Sequence, residues 1–544
     1  MKRTGLQGPS SSFFLFNTMH TGMKKNLFLS LAVYLATASL NAPAQPADSL
    51  INSRTRLFYS YLPVVNPWSQ GNNPAGNIFY KPNSISRIST GYDISHDNNR
   101  GAQAPGKTGK YHIGTEGIKR IGRFVFNGSI GYNNLQYNDL LYNNTMSFDN
   151  RNLYTIGDTV PGKQKQEGFH MWTGIAFPLG KNLVGGFGAR YENSLSGKMK
   201  DPRNLNRISS LEITPGLIYR WGNLSVGISG GPIWENNELT VSVMENAKHN
   251  LFQFLGMGYF EAIRNIYSYS ARYDKSGYQA DLQVYLEKPA WSFFSNAGYA
   301  GTTEELREGT SYRLLDGITH IQNIHYTGNL LIDREKVKHL IGARVNYEKI
   351  KGTEVEQHSV TINDGYVSWY SIVTDRWVDD KHIVSDYAGS LSYALLGMGQ
   401  NRPVNYKLSA RVSGNYYTSK HYPVESYGYY EVFSLTGLLE YQHFLSINKL
   451  NLDPLIGLGL RHSLSDAIEY QVEEKFFAAV PETDFMNLAA DYYTGHASLQ
   501  LSGRLSGLFR EWFVDAGGAY YYFPDLPARS NFNLSFHLSA GIVF

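Results

Sequence analysis

The chain has 544 residues, a formal net charge of +3 and no cysteine. These values exclude disulfide staples, thiolate metal sites, a cysteine nucleophile and a lipid-modified amino-terminal cysteine, and so mild a charge gives nucleic acid no footing. The 40 Tyr, 28 Phe, 8 Trp and 53 Gly at a mean hydropathy of only −0.33 suit a transmembrane barrel, whose strands turn one face to lipid between aromatic girdles and the other to a polar interior.

Lys24-Lys25 precede an apolar run from Leu27 to Leu40, and Ala42-Pro43-Ala44 follow it. A basic region, a short hydrophobic core and a small-x-small site read as a secretory signal peptide. The predicted start is Met23, the leader is 1–44, and cleavage falls after Ala44 or Gln45. The run falls short of the ~20 residues that a spanning helix needs. No other segment is apolar enough to span as a helix, so residence in a membrane requires a closed barrel. Residues 45–82, with Asn66-Pro67-Trp68 and Asn73-Pro74-Ala75-Gly76, read as an irregular segment, periplasmic or inserted into the lumen.

Residues 83–544 read as one barrel domain. Alternation places strands near 83–95, 109–118, 122–133, 168–178, 182–193, 209–221, 224–235, 276–287, 291–302, 321–332, 338–349, 383–396, 404–417, 428–444, 449–462, 489–504, 510–523 and 531–544. Tyr406, Leu408, Ala410, Val412, Gly414 and Tyr416 share one face while Lys407, Ser409, Arg411, Ser413 and Asn415 share the other, the period of two that a strand imposes. Short links such as Trp221-Gly222-Asn223 and Lys288-Pro289-Ala290 alternate with long ones such as 134–167, 236–275 and 463–488, the pattern of periplasmic turns and extracellular loops. The predicted fold is all-β, a transmembrane antiparallel β-barrel of about eighteen strands (range 14–20), whose even count leaves both termini periplasmic. Segments 354–362 and 366–374 around Asn363-Asp364-Gly365 are placed above the membrane, since neither face of the first suits lipid. Asn250 to Ile263 could form a short helix, folded into the lumen or capping the barrel, and the sequence does not decide.

The last strand puts Phe532, Leu534, Phe536, Leu538, Ala540, Ile542 and Phe544 on one face and Asn533, Ser535, His537, Ser539, Gly541 and Val543 on the other. It resembles the closing strand of bacterial outer-membrane barrels. That resemblance implies an insertion signal at Phe536, Leu538, Ile542 and Phe544, read by the barrel-insertion machinery.

Alternation points Arg190, Arg344, Lys407, Arg411, Arg461 and Arg504 to the lumen, with Glu192, Glu212, Asp281, Glu287, Glu348, Glu440 and Asp515. They are either opposed charge ladders that orient a solute or cross-strand pairs that stiffen the wall. The histidines are scattered, with no H-E-x-x-H and no calcium loop, and there is no Gly-x-Ser-x-Gly elbow or P-loop. His462-Ser463 at a strand end is too weak a signal for catalysis. The expectation is therefore no enzyme, no cofactor and no metal. Loop residues Tyr137, Asn143, Asn144, Asn150, Asn152, Tyr154, Trp369, Tyr370 and Trp377 could stack on and bond sugars or peptides, or simply extend the interfacial girdle. Asp48-Ser49-Leu50 and Asp158-Thr159-Val160 resemble a short O-glycosylation sequence.

The Ala44-Gln45 junction, the abundant Tyr and Asn, and the closing Gly541-Ile542-Val543-Phe544 resemble Bacteroidota outer-membrane β-barrel proteins of unassigned function. Asn72-Asn73-Pro74-Ala75-Gly76 is similar to the Asn-Pro-Ala-Gly element of the long-chain fatty-acid transporter group, which has fewer strands. A TonB-dependent receptor is disfavoured, because about forty residues between cleavage and first strand leave no room for a full plug domain. The function expected is a channel or uptake component for small polar solutes in the Gram-negative outer membrane. The alternative is a non-conducting barrel that docks transport- or secretion-complex partners. Outer-membrane lipid and the insertion machinery are the other partners expected.

Overall fold

The computed structural model describes residues 66–80, 84–146, 153–245, 249–309, 314–363, 368–399, 402–422, 427–472, 475–506, 509–527 and 530–544. The expected leader, residues 45–65, Asn150, Asn152, the Trp369 side chain and the Asp48 tripeptide lie outside the described residues.

In chain order the strands are β1 (Ser84–Asp97), β2 (Lys107–Ile121), β3 (Phe124–Leu140), β4 (Thr155–Gly157), β5 (Gly162–Pro178), β6 (Leu183–Lys198), β7 (Arg203–Trp221), β8 (Leu224–Ser242), β9 (His249–Phe254), β10 (Phe260–Ile266) and β11 (Ser268–Lys288). There follow β12 (Trp291–Glu308), β13 (Leu314–Asp333), β14 (Val337–Asn363), β15 (Ser368–Gly399), β16 (Arg402–His421), β17 (Gly428–His443), β18 (Leu445–Ile447), β19 (Leu450–Tyr470), β20 (Tyr492–Arg504), β21 (Glu511–Tyr522) and β22 (Phe532–Val543). Eighteen of these are long and pair antiparallel with their neighbours. β1 pairs with β22, Tyr92 opposite Leu538, which closes the barrel. β18 is a short extra pairing on β19, and β4, β9 and β10 form a separate three-stranded sheet.

All eighteen strands read from the sequence are present, and most run further toward the long loops. Alternation between greasy and polar faces stops where lipid stops. The ladder itself needs only paired backbone groups, so it continues beyond that point. At the other end the links are tight. Gly222 has φ +59° at the first of two turn residues between β7 and β8, the position a type II′ hairpin reserves for glycine.

The outer surface carries its girdles as register lines. Tyr347, Tyr387, Tyr416 and Phe433 lie directly opposite one another on β14 to β17, with ring centroids 4.5, 6.0 and 6.4 Å apart in succession. Below them Val345, Leu391, Val412 and Leu439 are exposed, and Tyr393, Tyr406 and Tyr441 begin a second girdle toward the short turns. An apolar belt between aromatic bands is the surface lipid selects. Among the described residues no helix is long and apolar enough to cross a membrane.

One loop expectation is corrected. Asn250 to Ile263 is not a helix but most of the hairpin β9–β10. Phe252, Phe254 and Phe260 alternate there with Gln253 and Glu261, and the apolar side packs on β4 and on Phe477. Among the described residues a helix of the long-loop end lies instead at Ala479–Ala489, inside the long link after β19. Residues 355–363 and 368–377 extend β14 and β15 past the last partners offered by β13 and β16, paired with each other across a register shift at Glu356/Gln357.

Candidate functional site

Residues 66–80 lie inside the barrel at its short-turn end. Two 3₁₀ turns, Pro67–Gln70 and Pro74–Phe79, each start on a proline, whose fixed φ suits a first helical position and whose missing N–H costs nothing there. Asn73 caps the second turn, its Oδ1 accepting from Ala75 N at 3.0 Å. Its Nδ2 reaches Leu217 O, Ile228 O and Gln283 Oε1 at 3.1, 3.2 and 3.0 Å. Those two carbonyls belong to opposed residues of β7 and β8, just below the stretch 213–215 and 230–232 where the ladder lapses. Pro215 and Pro232 supply no donor in that stretch. Asn77 donates to Asn127 Oδ1 at 2.8 Å, and Arg120 donates to the carbonyls of Ile78 and Tyr80 at 2.8 and 2.9 Å.

The segment lies flat because the wall beneath it lacks side chains. A β-carbon on Gly186 would fall 2.2 Å from Ala75 N. Trp68 fixes one end, stacked on Phe79 at 5.7 Å and edge-on to Phe294 at 5.6 Å. Tyr80 fixes the other among Ile85, Phe513 and Val543, and burial pushes its hydroxyl up to about 12. The covered arc therefore runs from β12 through β8, β5 and β3 to β21. Between segment and wall is a cavity of about 350 Å³ edged by Trp172, Asn127, Glu116, Thr214, Arg190 and Glu212.

A relay of side chains links the segment to the wall beyond it. Gln283 Nε2 donates to Asn296 Oδ1 at 2.9 Å, Asn296 Nδ2 donates to Asp281 Oδ1 at 3.0 Å, and His325 Nε2 stands 2.8 Å from the same oxygen. The pair Asp281–His325 spans β12, whose residue between them is Gly298. A β-carbon there would lie 2.4 Å from Asp281 Oδ1 and 2.3 Å from His325 Cε1. The same arrangement recurs as Glu440, Gly457 and His496 on β17, β19 and β20, with Nε2 to Oε1 at 3.1 Å. His112, His170 and His537 also stand opposite glycines, Gly91, Gly131 and Gly517. His112 lies 3.5 Å from Asp93 and His537 lies 3.7 Å from Asp515. The sequence reading passed over these histidines. The signal available to it was their parity with the polar face of each strand.

The other charged residues singled out from the sequence fall in different surroundings. Arg190 pairs with Glu212 at 3.1 Å. Glu192 stands opposite His170 in register. Glu287 and Arg504 are exposed near the short-turn ends of β11 and β20. Glu348 stands opposite Asn323 and Asp386. Arg344 stands opposite Thr327 and Ser390, Arg411 opposite Ser392, and Lys407 opposite Gln442. Arg461 is drawn into the outer cap, donating to Leu488 O and lying 5.9 Å from the Tyr492 ring centroid. On the closing strand Phe536, Leu538 and Ile542 are exposed, Leu538 at 56%.

The long-loop end is narrowed by loops with a core of their own. Leu153, Tyr154, Ile156, Leu251, Leu255, Met257 and Tyr259 pack against Leu239, Tyr273, Leu306, Tyr417 and Tyr430 of the wall, with Phe485 and Leu488 of the helix at the edge. Tyr259 stacks on His421 at 4.2 Å, and His382 meets His421 edge-on at 5.6 Å. Tyr137, Asn143, Asn144 and Tyr154 are buried in this end, whereas Tyr370 and Trp377 are exposed. Asp158 is buried in an ion pair with Lys198 at 2.8 Å. His462 Nδ1 meets Asp491 Oδ2 at 2.5 Å and Ser463 N donates to Asp491 Oδ1 at 2.6 Å. As strand neighbours His462 and Ser463 point to opposite faces, so this His–Asp pair does not activate the serine. Among the described residues no group of three or more His, Asp or Glu is placed to hold a metal ion.

The barrel is similar in fold to the outer membrane transporter YddB from Escherichia coli (8% identity, TM-score 0.38, 84% of this chain and 81% of that one). It is also similar to the FrpB iron transporter from Neisseria meningitidis (10% identity, TM-score 0.36, 85% and 82%). A third likeness is to the siderophore receptor PirA from Acinetobacter baumannii (7% identity, TM-score 0.35, 84% and 80%). No curated protein matches the sequence. Residues 74–544, the second 3₁₀ turn and the whole barrel, match one family model, and the chain belongs to that family, described as a family of unknown function (DUF6850).

Proposed function

We propose that this protein is an outer-membrane barrel, exported by its leader and inserted through its closing strand, that admits small polar solutes along one arc of its lumen. The carrying observation is the asymmetry of the inner wall. Residues 66–80 pack on the arc from β12 round to β21, while the wall from β13 to β20 keeps a polar inner face. Residues 66–80 then act as a plug that sets the width of the passage, and the outer loops screen its mouth. Swelling of liposomes loaded with the purified full chain in isosmotic arabinose or glycine tests this reading. Swelling faster than in protein-free liposomes supports it. Rates equal to the blank, with the barrel shown folded by heat-shifted migration in SDS gels, overturn it.

A second reading has its own observation. The free end of the β14–β15 hairpin projects beyond its neighbours and exposes Val360, Ile372, Tyr370 and Trp377. Two unpaired edges with apolar side chains are a docking surface for a partner protein. Co-purification of a partner that is lost when 355–377 are replaced by a short turn, from a barrel that passes no solute, favours this reading over the first.

A further inference from the structure

The bases of the inner face are not all treated alike. On the plug side Arg87 meets Glu116 at 2.5 Å, Arg120 is taken up by two carbonyls, and Arg190 meets Glu212 at 3.1 Å. On the uncovered arc Arg344 of β14 and Arg411 of β16 are exposed and have no ion-pair or hydrogen-bond partner among the described residues. Of the carboxylates on this wall, Glu348 and Asp386 face each other four residues further toward the long-loop end, and Asp281 and Glu440 have partners of their own. Asp281 is held by Asn296 and His325, and Glu440 is held by His496 and by Ser409, which donates at 3.2 Å.

We propose that Arg344 and Arg411, across the Ser390–Ser392 step of β15, form an oxyanion-binding subsite for small solutes bearing a carboxylate or phosphate. This rests on reading the uncovered arc as the solute path. Ser390 is the register partner of Arg344, and Ser392 is the partner of Arg411. With strands ~4.8 Å apart and ~6.6 Å between alternate residues, the two arginine Cα atoms stand about 12 Å apart. Two extended guanidinium stems close that gap onto one anion, with the Ser390 hydroxyl as a donor on the floor between them, while the Ser392 hydroxyl donates to Gly342 O at 3.4 Å. Lys407, four residues from Arg411 on the same face of β16, adds a third positive charge toward the periplasmic side. The planar fork of arginine matches carboxylate and phosphate oxygens two at a time. Guanidiniums without a carboxylate partner also concentrate anions in a water-filled pore.

The test is equilibrium dialysis of the full-length protein in nanodiscs at low ionic strength, against radiolabelled inorganic phosphate and, separately, succinate. The proposal expects saturable binding of at least one. Arg344→Gln and Arg411→Gln should each weaken it by about tenfold or more, the effect of losing a charged hydrogen bond, and the double variant should remove it. Lys181→Gln, in an exposed turn, should leave it unchanged. Binding of phosphate alone or succinate alone fixes which oxyanion the site takes. No saturable binding of either, or undiminished binding in the folded double variant, overturns the subsite. Because dialysis needs no solute to cross, a barrel that binds but passes nothing overturns the solute path and keeps the site. A barrel that passes solutes but binds neither anion overturns the site alone.

Discussion

Asn73 and Gln283 are 210 positions apart in the chain, yet Asn73 Nδ2 donates to Gln283 Oε1 at 3.0 Å. Through Gln283 the plug is tied to Asn296, Asp281 and His325, side chains on three neighbouring strands. Asn73→Ala leaves Gln283 Oε1 and two wall carbonyls without this donor, at a cost of about 1–3 kcal/mol. The loss falls on the attachment of the plug rather than on the barrel. Limited proteolysis of the folded protein should therefore cut within 66–80 at least several-fold faster in the variant, while heat-shifted migration stays unchanged. Equal cleavage would mean that Asn73 does not hold the plug.

Gly186 tests the same contact from the wall side. Valine at this position drives its β-carbon into Ala75 N and Pro74 C, an overpacking of about 1–3 kcal/mol that is relieved by lifting the plug. Gly186→Val should reproduce the protease sensitivity of Asn73→Ala. A barrel that fails to fold, in place of one that folds with a loosened plug, would show that the contact is needed for assembly.

The face assignment of the closing strand predicts a split between two neighbours. Leu538→Arg puts a charge on the exposed outer face and should cost roughly 2–4 kcal/mol of membrane folding. Ser539→Arg, one residue on and on the opposite face, should be milder. Urea titration of refolding into lipid vesicles measures both, and equal losses would mean the faces are assigned wrongly.

The outer cap should loosen in acid. His382 and His421 stand five residues beyond Tyr387 and Tyr416, outside the apolar belt. Burial holds His382 down to about 4. Burial, with His382, Lys381 and Arg376 beside it, holds His421 down to about 2. Unfolded histidine titrates near ~6.5, so the open cap binds more protons than the closed one below that pH. The neutral pair therefore stabilises the cap fully above about pH 6.5, and the contribution falls as pH drops from there toward about 4. Hydrogen exchange at 255–259 should be faster at pH 5 than at pH 8 once corrected for the intrinsic rate. His421→Phe, which keeps a ring against Tyr259, should remove about half of that slope. A variant with the wild-type slope would contradict the assignment.

The barrel was legible from the sequence because each strand repeats one rule, apolar out and polar in, over ten or more residues. Tyr406 to Tyr416 shows it plainly, and the tight turns around Gly222 and Pro289 set the strand boundaries. What escaped depends on contacts between distant segments. Phe252, Phe254 and Phe260 alternate as a strand does, but short apolar runs read equally well as helix. Only packing against β4 and Phe477 decides between them. Asn73-Pro74-Ala75-Gly76 was visible as a motif, but its bed of Gly186 and its bonds to β7, β8 and β11 come from residues more than a hundred positions away. The histidines looked scattered because their spacing in the chain carries no pattern. Their alignment with glycines appears only when strands are laid side by side.

The most direct test of the plug is unitary conductance of wild-type and Gly186→Val protein in planar bilayers, each shown folded by heat-shifted migration. The account predicts small currents for the wild type, limited to the uncovered arc, and clearly larger unitary currents once residues 66–80 are lifted from the wall. The same unitary conductance in both proteins, despite faster cleavage of that segment in the variant, would contradict it.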